Sequence, residues 1–289
     1  MSQPGVSLHG RDQLERTHCR AVEIEDRERR LRLANARQYQ VRITLEEDRR
    51  VDPFGGSLDL DGKQQIVDGA EHHTLIMILE SRAVPPFLKN GFLVGCERTK
   101  DTVLIDPGDE VHELIAAARA QDLRVRYILL THAHIDHVTG VGAAKDAFQV
   151  PVYLHRDDLP LYERAALQAQ MFGLEVDPPP PADAFYDGTP LRLGDHAVRV
   201  HHTPGHCPGG VCLQIGTHLF VGDTLFAGSI GRTDLPGGNY EVLMRSITEV
   251  LFPLGDESIV HPGHGPDTTI GRERTTNPFV LEYLASRRR

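Results

Sequence analysis

The segment Thr131-His-Ala-His-Ile-Asp-His137 places ligand-type side chains at positions 132, 134, 136 and 137, directly after the apolar run 127–130. Any fold of this chain must give that cluster a place. On extended backbone leaving a strand, residues two apart point to one side, so His132 and His134 face the same way. Asp136 and His137 follow where the chain is expected to turn into a helix, and can point back at the same spot. Imidazoles and carboxylates are costly to bury unless they are paired or bound to a metal. A metal accounts for all of them at once. The donors are nitrogen and oxygen with no cysteine, which suits zinc, iron or manganese at a reactive site better than a structural zinc.

One cluster does not complete two metal shells, but three later segments offer further donors. Thr203-Pro-Gly-His206 is a tight turn after a strand expected at 197–202. Gly222-Asp223-Thr224 follows the apolar residues 219–221. His261-Pro-Gly-His264-Gly-Pro follows a strand expected at 258–261. Glycine and proline beside each donor restrict the loop and reduce the entropy lost in fixing its geometry. The chain holds 16 histidines. Of the others, His196, His201, His202 and His218 are expected at the surface or just behind the ligands, and His261 is read as structural. Cys207 adjoins His206, and neighbours on a turn point apart, so it is read as a packed thiol.

Residues 1–70 are read as an N-terminal extension that covers a sheet edge or makes a homo-oligomer contact. Within it, the alternation of Tyr39, Val41, Ile43 and Leu45 with polar residues predicts a half-buried strand, and Asp61-Gly62 a hairpin turn. Residues 71–289 form the second unit, which carries the cluster. Strands are predicted at 74–79, 92–95, 102–105, 127–130, 152–154, 191–193, 197–202, 211–215, 218–222 and 258–261. Helices are predicted at 110–121, 138–148, 159–172 and 240–251, and Pro178 to Pro181 mark a rigid loop. This order suits an α/β fold of two sheets packed face to face with helices outside.

A net charge of −10 speaks against a nucleic-acid partner, which calls for a basic footprint. No run approaches the roughly 18 consecutive apolar residues of a membrane helix. The first 30 residues are polar and charged with no apolar signal core, so a cytoplasmic location is expected. Cys19, Cys96, Cys207 and Cys212 form neither a disulfide framework nor a Cys-x-x-Cys pair and fit reduced thiols.

The Thr-His-x-His-x-Asp-His segment, the later single His, the Gly-Asp segment and the Pro-Gly-His segment, in this order, resemble the metallo-β-lactamase superfamily. The resemblance covers about residues 72–280 and implies an αββα sandwich with the site on one edge. It implies a first metal on His132, His134 and His206, a second on Asp136, His137 and His264, and Asp223 bridging the two. Asp136 and Asp223 are also the candidate catalytic residues. Two divalent metal ions are expected, zinc foremost, with iron and manganese as alternatives.

Within the superfamily the chain is most similar to type II glyoxalases (hydroxyacylglutathione hydrolases), in their compact bacterial form. Gly222-Asp-Thr-Leu-Phe-Ala-Gly-Ser-Ile-Gly-Arg-Thr-Asp-Leu-Pro-Gly-Gly238 and Pro262-Gly-His-Gly-Pro-Asp-Thr-Thr-Ile-Gly-Arg-Glu-Arg-Thr-Thr-Asn-Pro278 carry this similarity. It implies hydrolysis of a small acyl thioester, S-lactoylglutathione being the leading candidate, by a hydroxide held between two metals. The larger type II glyoxalases carry a helical C-terminal domain that helps bind glutathione, whereas only residues 265–289 follow His264 here. Loop 174–190 and the region after Gly231 are therefore expected to wall the substrate pocket, and Arg232 and Asp234 to form a buried salt bridge holding their loop. The Gly-Arg-Thr-Asp stretch also resembles persulfide dioxygenases, mononuclear iron enzymes of this fold. Those lack the second-site histidine, so His264 favours hydrolysis. Lactonases and β-lactamases open acyl bonds with the same site. An endonuclease is disfavoured by charge, and an inactive metal-holding module by the complete donor set.

Overall fold

The computed structural model describes residues 37–44 and 74–287. The rest of the 1–70 extension, including the hairpin expected at Asp61-Gly62 and Cys19, lies outside the described residues. The alternating segment near Tyr39 forms strand β1 (Arg37–Thr44), paired antiparallel with β2 (Thr74–Arg82).

Two sheets hold the chain together. The first runs in sequence order from β1 and β2 through β3 (Gly91–Cys96), β4 (Asp101–Ile105), β5 (Arg124–Leu129), β6 (Val152–Leu154) and β7 (Ala184–Phe185). Its pairs are antiparallel up to β4 and parallel from there on. The second contains β8 (Leu191–Leu193), β9 (His196–His202), β10 (Val211–Ile215), β11 (His218–Gly222), β14 (Ile259–Pro262) and β15 (Thr268–Thr269), in the order β15-β14-β11-β10-β9-β8. A small hairpin, β12 (Leu225–Phe226) and β13 (Ser229–Ile230), lies between β11 and β14 in the chain.

Side-chain alternation divides the apolar residues into three layers. Met77, Leu79, Phe92, Val94, Val103, Ile105 and Leu129 of the first sheet meet Val198, Val211, Leu213, Ile215 and Phe220 of the second. Their neighbours Ile78, Leu93, Leu104 and Ile128 point outward. They pack against Leu114, Ile115 and Ala118 of α1 (Val111–Ala120) and Val141 and Ala144 of α3 (Val141–Phe148). On the far side Cys212, Leu219, Val221 and Val260 pack against Leu243 and Met244 of α6 (Tyr240–Arg245), Ile270, and Val280 of α8 (Pro278–Ser286). This is the expected αββα sandwich, each sheet buried on both faces.

Three helices depart from their sequence patterns. Of the segment expected as a helix at 138–148, only residues 141–148 form α3, and a separate short helix, α2 (Ile135–Val138), precedes it. The break falls at Gly140, where a Cβ would lie 2.3 Å from the Gly108 carbonyl oxygen, so the turn packs directly on the neighbouring loop. Residues 159–172 likewise form two pieces, α4 (Leu159–Tyr162) and α5 (Ala165–Met171). Helix α6 continues into a wider π turn at Ser246–Leu251. The tail, left unassigned by periodicity, forms α7 (Ile270–Thr276) and α8. Thr269 caps the first by accepting from the Arg272 amide, and Asn277 caps the second with Pro278 at its first turn. Among the described residues no helix is long and apolar enough to cross a membrane.

Candidate metal centre

The candidate donors converge because their strands end on the same edge. β4 and β5 run parallel, as do β11 and β14. The loops after β4, β5, β11 and β14, together with the turn after β9, meet at that edge, the usual place for a site in sheets with parallel strands. The loop after β5 carries His132, His134, Asp136 and His137. The turn after β9 carries His206, the loops after β11 and β14 carry Asp223 and His264, and the loop after β4 begins with Asp106.

All of these residues are brought together, in two groups. His132, His134 and His206 form one whose ligand atoms lie within 4.8 Å of one another, and Asp136, His137 and His264 form the other. In the first, His134 Nδ1 and His206 Nε2 are 2.7 Å apart. In the second, His264 Nε2 is 3.0 Å from Asp136 Oδ2. Asp223 faces both: its Oδ2 lies 3.7 Å from His206 Nε2 and 3.6 Å from His264 Nε2, and its Oδ1 is 3.5 Å from His137 Nε2. The space is kept by glycine. A Cβ on Gly263 would sit 2.3 Å from Asp223 Oδ1 and 2.8 Å from His137 Cε1.

The donor set fits metal ions. His132 Nε2, His137 Nε2 and Asp223 Oδ1 are buried with no hydrogen-bond partner, an arrangement that is expensive in a dry interior unless a cation satisfies them. Burial, with neighbouring imidazoles, drives His132 well below the usual histidine range and His134 down to about 4, leaving both neutral and able to donate a lone pair. His137 goes the other way. Burial opposes its charge, but Asp136 and Asp106 outweigh it and lift the group to about 10. Burial also opposes the charge on Asp136 and Asp223, yet His137 and His264 hold both carboxyls below their ordinary value.

The residues that aim the donors escaped sequence reasoning. Asp106, buried at the end of β4, accepts from His137 Nδ1 at 2.9 Å, from the Thr131 amide at 2.6 Å and from the Thr131 hydroxyl at 2.5 Å. It therefore fixes the His137 ring with Nε2 toward the centre. The Arg232 carbonyl does the same for His206, accepting from Nδ1 at 2.8 Å. Asp158, fully buried at the start of α4, accepts from the amides of Ala133 (3.0 Å) and Gly209 (2.6 Å) and from the Cys207 thiol (3.2 Å). Thus one carboxylate ties the 132–134 segment to the turn that carries His206. Lys89 and Glu110 form a buried ion pair at 2.7 Å, and Lys89 also donates to the Asp106 carbonyl. Asp106-Pro107-Gly108 was visible as a strand end, but nothing local marked its carboxylate as buried.

Several expectations are corrected. Cys207 is buried as expected but is hydrogen-bonded rather than merely packed. The Arg232–Asp234 pair, expected to be buried, is solvent-exposed; the loop is held through the Arg232 backbone. His218 and His196 are neither surface residues nor behind the ligands. His218 is buried, stacked on His261, with His218 Nδ1 and His261 Nε2 2.8 Å apart; His196 is buried at the start of β9. A cavity of about 380 Å³ opens beside His264, lined by Ser81, Ala83, Phe87, Leu88, Asn90 and residues 265–267.

Comparison with known proteins agrees with this geometry. Residues 84–268 match the family model of the metallo-beta-lactamase superfamily. The chain is 39% identical over 214 residues to hydroxyacylglutathione hydrolase GloC of Haemophilus influenzae, covering 71% of this chain and 98% of that protein. Among solved structures, TTHA1623 in a di-iron-bound form shares 44% identity at a TM-score of 0.63, with 69% of this chain and 98% of that one aligned. BLEG-1 B3 metallo-beta-lactamase shares 38% identity at a TM-score of 0.66, over 70% of this chain and 99% of the other. The family binds divalent metals at His/Asp clusters of the kind described above. The chain belongs to the metallo-β-lactamase superfamily of metal-dependent hydrolases.

Proposed function

We propose that the chain hydrolyses small acyl thioesters, S-lactoylglutathione among them, with two metal ions. In this reading His132, His134 and His206 hold one ion, Asp136, His137 and His264 hold the other, and Asp223 bridges them. The observation that carries it is the position of the Asp223 carboxylate, within 3.5–3.7 Å of His137, His206 and His264. Zinc is the proposed metal, with iron as the alternative that the di-iron form of TTHA1623 suggests.

Bound there, divalent ions supply a water of near-neutral pKa and a Lewis acid for a carbonyl oxygen. The protein's own share is positional. Asp106 and the Arg232 carbonyl hold the His137 and His206 rings so that one nitrogen of each faces the centre. His264 is the more exposed side of the pair it makes with Asp136, so a substrate carbonyl approaches from that side. A leaving thiolate whose conjugate acid has a pKa of about 8.5 departs without a strong general acid, which suits a site built of ligands. The similarity to hydroxyacylglutathione hydrolase GloC supports the thioester class.

The test is a substrate panel on metal-loaded protein: S-lactoylglutathione, glutathione persulfide, a lactone and a β-lactam. Hydrolysis of the thioester, lost in His264→Ala together with one metal equivalent, is expected. One iron per chain with oxygen consumption on the persulfide overturns the reading in favour of a dioxygenase. Brisk turnover of the lactone with none of the thioester rejects the substrate class.

A further inference from the structure

The turn that carries His264 is closed by side chains outside the donor set. Strands β14 and β15 pair antiparallel, with Val260 opposite Thr268 as the last rung. The next residues outward are His261 and Asp267, and their side chains bond to each other, His261 Nδ1 lying 3.1 Å from Asp267 Oδ1. That bond adds a rung to the hairpin and leaves a loop of residues 262–266 with His264 at its centre. The inner end of the rung is anchored in the core. His261 Nε2 lies 2.8 Å from His218 Nδ1, and both rings are buried. Phe220, opposite His261 on β11, stacks on its ring with centroids 4.8 Å apart, and Phe92 of the first sheet lies against it at 6.0 Å. A carboxylate only accepts, so His261 Nδ1 carries a proton, and the neutral ring accepts at Nε2 from His218 Nδ1. Burial, with His261 beside it, lowers His218 to about 4, which keeps that ring neutral at pH 7.

We propose that the His218–His261–Asp267 chain positions His264 and thereby sets the affinity of the second metal ion. The inference rests on the two-ion reading above. The three residues act through the loop backbone, not as ligands. The loop needs such a restraint because Gly263 and Gly265 flank His264, and glycine has the most backbone freedom to lose. Gly265 sits at a φ of +80°, where only glycine is relaxed. Asn90 fixes the outgoing side, its side-chain amide donating to the carbonyls of Pro262 (3.0 Å) and Gly265 (2.9 Å). The return side, from Pro266 to Asp267, is tied by His261. With 33% of its side chain exposed, His264 is not held by surrounding packing alone. A ligand on an ordered loop loses less freedom on taking up an ion than one on a free loop, and contacts that orient metal ligands are worth about 10–100-fold in affinity.

The experiment titrates zinc into the metal-free full chain against a competing chelator, which gives a dissociation constant for each ion. The ion lost in His264→Ala identifies the second site. Asp267→Ala removes the acceptor and should weaken that site by about 10–100-fold while leaving the first unchanged. Asp267→Asn keeps an oxygen acceptor for His261 Nδ1 and should recover most of the loss. His261→Phe keeps a ring between Phe92 and Phe220 but has no nitrogen to bond. It should weaken the same site, and adding Asp267→Ala to it should cost nothing further, because both changes break one bond. That comparison separates the His261 contact from every other contact of Asp267; if His261→Phe does not fold, the two Asp267 variants decide. An unchanged second site in Asp267→Ala overturns the proposal. So does equal weakening of both ions with a lower unfolding midpoint of the metal-free protein, which would make the chain a general support. A parent protein that binds a single ion is a different failure: it refutes the two-ion reading and takes this proposal with it.

Discussion

The Cys207 thiol donates to Asp158 Oδ2 across 3.2 Å, with both side chains fully buried. Burial pushes the Asp158 carboxyl up, against the pull of Cys207 and the amides of Gly209 and Ala133, while burial and Asp158 together push the thiol well above its ordinary value. The proton therefore stays on sulfur and the carboxylate remains an acceptor for two loops. Asp158→Asn puts an amide NH2 against a backbone N–H. It should cost about 1–3 kcal/mol in chemical denaturation and weaken metal binding by about 10–100-fold. Cys207→Ser keeps a donor and should stay within about 1 kcal/mol of the parent. Equal loss in both variants would mean that the thiol, not the carboxylate, organises the loops.

The charge on His137 predicts a proton count. In the metal-free protein burial is outweighed by Asp136 and Asp106, and the group rises from 6.5 to about 10. A raised value means that this proton's contribution to stability is fully present below pH 6.5 and is lost as the pH climbs through about 10. A metal ion needs the neutral ring. Metal uptake at pH 7.5 should therefore release a proton, measured calorimetrically as a binding heat that changes with the ionisation enthalpy of the buffer. Heats identical in phosphate and Tris would show that His137 is already neutral.

Lys89 and Glu110 form an ion pair in which each side chain is only 1% exposed. Glu110 also accepts from the Gly108 amide at 2.9 Å, so the pair braces the loop that begins with Asp106. Lys89→Met leaves a buried carboxylate without its cation and should destabilise the protein by about 3–5 kcal/mol. The double change Lys89→Met with Glu110→Gln should recover part of that loss, because the uncompensated charge is gone. A double variant no more stable than Lys89→Met would assign the cost to packing instead.

That these residues would converge was legible because local sequence exposes them: closely spaced histidines and aspartates after an apolar strand, and glycine or proline beside His206, Asp223 and His264. The strands were legible for a similar reason, as apolar alternation survives in Met77, Leu79, Phe92 and Val94. What was hidden depends on contacts distant in sequence. Asp106 and Asp158 resemble surface aspartates until β5 and the His206 turn fold over them. The break at Gly140 comes from packing on the neighbouring loop at Gly108, which periodicity does not register. The cavity beside His264 is formed by the approach of residues 81–90 to residues 264–267, segments far apart in the chain, which no local pattern announces.

The central claim is that two ions shared through Asp223 perform thioester hydrolysis. The most direct measurement titrates zinc into metal-free protein while following the initial rate of S-lactoylglutathione hydrolysis and the metal bound per chain. The account predicts a rate that reaches its plateau only as the second equivalent binds, and that is abolished in Asp223→Ala. A plateau at one equivalent, or full activity in Asp223→Ala, would contradict it.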